Sequence, residues 1–126
     1  MGEALVSRRG WGSGKEVKIT PAYSNSDGKS CFLISFRQAD IAGFRLCAVV
    51  NFKWASNIET CFIIAKYPCA STSDVVSALH RKNSTSISQF SPSSVTVENG
   101  YVKIEFTYGY VSQPFEFLDV VAIKIQ

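Results

Sequence analysis

The sequence predicts an all-β protein: an antiparallel, jelly-roll-like sandwich of about eight strands with at most one short helix. Three observations lead there. Apolar and polar residues alternate over long stretches, most cleanly at 44–54. There Phe44, Leu46, Ala48, Val50, Phe52 and Trp54 share one face, with Arg45, Asn51 and Lys53 opposite. Turn signals recur about every ten residues, the rhythm of a sandwich or barrel. Residue usage also favours strands, with nine Phe and one Met in 126 residues.

Residues 1–14 end in Gly10-Trp11-Gly12-Ser13-Gly14 and read as a flexible Gly/Ser-rich lead-in or linker. Residues 15–126 then form a single sandwich domain, long enough to bury a core without metal or disulfide support. Val17 and Ile19 alternate with Glu16 and Lys18 until Pro21, which is expected to interrupt the strand. Ser24-Asn25-Ser26-Asp27-Gly28 is a turn cluster. Over 31–37, Phe32, Ile34 and Phe36 share a face, and residues 39–43 turn the chain. The unbroken apolar run at 60–67 predicts a central strand covered on both faces, stopped by Pro68. Residues 73–81 are the one helical candidate, with Ser73 as cap and Val75, Val76 and Leu79 at helical spacing. Residues 82–93 read as a long loop or a short edge strand around Ile87 and Phe90.

The sharpest local expectation is a hairpin over 95–108. Asn99-Gly100 suits a two-residue type I′ loop, which sets Val97 opposite Val102, Val95 opposite Ile104, Thr96 opposite Lys103 and Glu98 opposite Tyr101. In the final strand, Phe115, Phe117, Val121, Ile123 and Ile125 are in phase. Asp119 falls in that same phase, so either a bulge resets the register or the acid is paired.

Composition narrows function mainly by exclusion. The net charge of +3 comes from scattered cations, with Arg8-Arg9 and Arg81-Lys82 the only clusters, so nucleic acid is not an expected partner. No apolar run is long enough to cross a membrane, and the amino terminus shows no signal peptide, which leaves the localisation open. Cys31, Cys47, Cys61 and Cys69 lack Cys-x-x-Cys spacing and are expected as reduced thiols, with Cys61–Cys69 the best oxidised alternative. Gly10 to Lys15 lacks the spacing of a phosphate loop. His80 reads as a cation at the end of the short helix, and Asn25-x-Asp27-Gly28 as a turn more than a calcium arm. The sequence therefore points to no enzyme, no metal and no cofactor.

What remains is a set of aromatics at loops and outward positions: Trp11, Tyr101, Tyr108 and Tyr110, the candidate ligand-binding residues for stacking on sugars or anchoring an interface. The leading expectation is a non-catalytic binding or assembly module. The model type is the receptor- or ligand-binding head of an oligomeric viral or phage fibre or adhesin, with a homo-oligomer (a trimer by preference) and a glycan or cell-surface receptor as partners. The motive is a second apolar face: Cys47 and Val49 in one strand, Leu118, Val120 and Ala122 in the last. A monomeric lectin-like sandwich is the alternative, and a hydrolase with a composite carboxylate site comes third.

Overall fold

A computed structural model describes residues 15–26, 28–110 and 114–126. Nine strands fill them: β1 Thr20–Ser26, β2 Lys29–Arg37, β3 Arg45–Trp54, β4 Asn57–Ala65, β5 Val75–Arg81, β6 Ile87–Gln89, β7 Ser94–Glu98, β8 Tyr101–Tyr110 and β9 Phe115–Ile125. They make two antiparallel sheets, one in the order β1-β2-β8-β7 and the other β6-β5-β4-β3-β9. The meander β3–β6 supplies most of the second sheet. Strands distant in sequence close the fold through β2–β8 and β3–β9. No helix among the described residues is long and apolar enough to cross a membrane.

The core lies between the inner faces. Phe32, Ile34 and Phe36 of β2 and Val102, Ile104 and Phe106 of β8 meet Leu46, Ala48, Val50 and Phe52 of β3 and Cys61, Ile63 and Ala65 of β4. These are every second residue of their strands, as a half-buried pleat requires. An aromatic stack centred on Phe32 joins the layers, with Phe52, Phe106 and Phe115 rings 5.0, 5.1 and 5.9 Å away.

The β7–β8 hairpin has the expected register at every pair from Val95↔Ile104 to Glu98↔Tyr101. Asn99 and Gly100 take positive φ values of 53° and 81°, as a type I′ loop demands.

Four expectations change. Pro21 does not interrupt a strand but lies inside β1, an edge strand, where a missing N–H costs no ladder bond on the open side. The segment 73–81 is not helical: one 3-10 turn, Thr72–Asp74, precedes strand β5. Val75, Ser77 and Leu79 point inward at period two, and pairing with β4 outweighs a helical spacing that β-branched residues support poorly. Ser71, not Ser73, forms the capping box there with Asp74. Nor is β4 covered on both faces, because Phe62 and Ile64 are exposed on its outer side.

The final correction concerns β9. Asn51 pairs with Asp119 but Phe52 pairs with Phe117, so Leu118 is the extra residue of a bulge. The bulge reverses the phase. Phe115 and Phe117 face inward before it, Val120 and Ala122 after it, and Asp119 and Val121 turn outward. Val120 and Ala122 thus belong to the chain's own core rather than to a second face.

Candidate functional site

The predicted binding aromatics do not form one patch. Trp11 lies outside the described residues, as does the side chain of Tyr110 at the end of β8. Tyr101 and Tyr108 sit seven residues apart on β8 and so point to opposite faces. Tyr101 is exposed on the outer face, paired across strands with Arg37 and Glu98. Tyr108 is turned inward, edge-on to Phe52, Trp54 and Phe90 at ring separations of 5.4, 5.2 and 5.7 Å.

Tyr108 belongs to a polar cluster at one end of the sandwich that sequence reasoning missed. Glu59 faces inward from β4 and has no exposed surface. Its Oε2 accepts from Arg81 Nε at 2.8 Å, and Arg81 Nη2 donates to the Tyr108 hydroxyl at 3.0 Å. One guanidinium therefore binds an acid of its own sheet and a phenol of the facing sheet. Burial pushes the Tyr108 hydroxyl above its ordinary pKa, against the pull of the Arg81 donor. Arg81 is held more firmly in its charged form, first by Tyr108 and then by Glu59. Glu59 Oε1 and Trp54 Nε1 are buried without a hydrogen-bond partner among the described residues. Arg81 ties the two sheets together through a buried acid and a half-buried phenol.

The four thiols are free. Cys31, Cys61 and Cys69 are buried, and burial raises Cys61 to about 12 and Cys69, with help from the Asp74 charge, to about 11. Cys47 is half-buried on the outer face of β3. His80 lies on a strand, its Nε2 3.0 Å from the Ser84 carbonyl oxygen.

The most unusual surface is the outer face of the five-stranded sheet. Strand register sets Val121, Val49, Phe62 and Ala78 in one row across β9, β3, β4 and β5. Ile123, Cys47, Ile64 and Val76 form the next row. Both rows are apolar across these four strands, and the first ends on Gln89 of the short edge strand β6. Phe62 is 40% exposed, Ile64 37%, Val76 72% and Val121 52%, so nothing in the described chain covers them. On one side of this band lies a polar row, Asp119, Asn51, Thr60 and His80, in which Thr60 Oγ1 donates to Asn51 Oδ1 at 2.6 Å. On the other side stand Arg45 and its partner Ile125.

Fold and surface together define a class: an all-antiparallel two-sheet sandwich with one apolar outer face. No family model, curated protein or solved structure matches the chain.

Proposed function

We propose that this domain is a non-catalytic binding and assembly module that works as a homo-oligomer, of the kind found in the heads of fibres and adhesins. One observation carries the reading: two rows of apolar side chains across four strands on the outside of an antiparallel sheet. An outer face that meets water is normally polar. Large contiguous apolar surface on a soluble domain marks an interaction site. Strands about 4.8 Å apart and rows about 7 Å apart along them give an apolar band roughly 20 Å wide, of a few hundred Å², enough for the apolar centre of an interface whose polar rim lies beyond it. Light scattering at micromolar concentration tests the reading: a mass above the 13.9 kDa of one chain is expected, and a monomer would refute it.

A second reading, a monomeric carbohydrate-binding sandwich, draws on Tyr101. This exposed ring is flanked by Arg37 and Glu98 on the polar outer face, where it is free to stack on a sugar while the charges bond hydroxyls. Glycan-array binding lost in Tyr101→Ala would favour it. No glycan binding by the wild type would remove it.

A further inference from the structure

We propose that two copies of the chain pack face to face through the five-stranded sheets, related by a two-fold axis that runs across the strands. The inference rests on the assembly reading above and specifies its partner, surface and symmetry. A trimer, the expectation from the sequence, would need the apolar face to meet a different patch on the next copy. The outer face of the four-stranded sheet does not offer one. Apart from Ala22, Cys31, Leu33 and the isolated ring of Tyr101, its outward positions are polar: Thr20 and Ser24 on β1, Ser35 and Arg37 on β2, Lys103, Glu105 and Thr107 on β8, Thr96 and Glu98 on β7. Among the described residues, the surface best matched to the apolar band is the same band on a second copy. A self-complementary patch generates a two-fold pair.

Charge then selects the direction of that axis. The band carries no charged residue, so it opposes its own copy without repulsion. Its two ends differ. Exposed Asp119 marks the polar row at one end, and exposed Arg45 the other. An axis along the strands keeps like ends together and carries β9 over the far side of the second sheet, which leaves Asp119 and Arg45 of the two copies at opposite ends. An axis across the strands reverses the ends, which brings Asp119 of each chain towards Arg45 of the other. The row Val121, Val49, Phe62 and Ala78 then lies over the row Ile123, Cys47, Ile64 and Val76 of the second copy. Aligned sheets pack about 10 Å apart, close enough for these side chains to interdigitate.

The test uses the full chain in solution. Sedimentation and light scattering of the wild type should give twice the 13.9 kDa chain mass. Val76→Glu and Val121→Glu change exposed side chains, so both variants should keep the wild-type circular dichroism while their mass falls to a monomer's. Cys47 gives a second readout. Its reaction with a bulky thiol reagent should be slow at high protein concentration, and at least tenfold faster on dilution or in Val121→Glu. Asp119→Arg and Arg45→Asp should each weaken the dimer at low salt, and the double variant should restore it. A trimer or higher species would overturn the two-fold pairing and leave the assembly reading standing. A dimer untouched by Val121→Glu, or one that the double variant does not restore, would also overturn the arrangement. A monomeric wild type would overturn both.

Discussion

On the outside of the four-stranded sheet, Thr96, Lys103, Ser35 and Thr20 make a polar row from edge to edge. The corresponding row on the five-stranded sheet reads Val121, Val49, Phe62 and Ala78. The inner faces of both sheets are mainly apolar, with alternate residues of β2, β8, β3 and β4 in the core. The shared core requires only those inner faces, so the outer difference is not demanded by it. The sheets also differ in what they bury. The five-stranded one carries Glu59 inward, and its Arg81 reaches across to Tyr108 of the other layer.

That cross-layer contact gives the largest expected effect. Arg81→Ala leaves Glu59 as a buried, uncompensated charge and should cost about 3–5 kcal/mol in denaturant unfolding. A loss below about 1 kcal/mol would show that the sheets are joined by apolar packing alone. Next comes alkaline pH, which should weaken the five-stranded layer. Cys61 ionises near 9 when unfolded and at about 12 when folded. The unfolded chain releases its proton first, so stability is full below pH 9 and falls as pH rises towards 12. The slope is about 1.4 kcal/mol per pH unit for that thiol, and Cys69 adds its own between 9 and about 11. Cys61→Ala should flatten the dependence measured by urea unfolding at stepped pH.

Gly100→Val probes the four-stranded sheet and should cost about 1 kcal/mol or more, because φ at this position is +81°. No atom lies within 4 Å of a Cβ added there, so the loss would be one of backbone conformation and not of space. An unchanged melting temperature would contradict the loop geometry. The smallest effect sharpens the contrast between faces most. Thr96→Asp and Val76→Asp should each shift the stability of the isolated chain by no more than about 0.5 kcal/mol. Only Val76→Asp should change the mass in solution.

The sequence revealed most where turn chemistry and period agreed. In the β7–β8 hairpin, Asn99-Gly100 and the pairing of apolar with apolar residues select the same register, and the structure has it. At Asp119 the phase conflict allows either a bulge or a paired acid, and pairing with β3 decides for the bulge and for which residues lie beyond it. The segment 75–81 misled because Val75, Val76 and Leu79 satisfy helical spacing while Val75, Ser77 and Leu79 satisfy a strand. Only a neighbouring strand resolves that, and sequence does not display neighbours. Glu59 was legible in principle: it shares the phase of Cys61, Ile63 and Ala65 just as Asp119 shares that of Phe117. Of the row Val121, Val49, Phe62 and Ala78, the sequence pattern marks only Val49 as an apolar outward position, and it puts Val121 in the inward phase. Its continuity came from registers between four strands.

Where the chain enters the domain, Glu16 bridges Ile123 and the Val17 N–H donates to the Ala122 carbonyl at 3.0 Å. These contacts occupy part of the free edge of β9, and the opposite edge of the same sheet is β6, only three residues long. Sheet edges with long rows of open N–H and C=O groups recruit further strands and seed fibrous aggregates. Here one edge is partly stoppered and the other is too short to template a newcomer. Growth by lateral strand addition is discouraged at both ends, which leaves the flat outer side as the open apolar surface of this sheet.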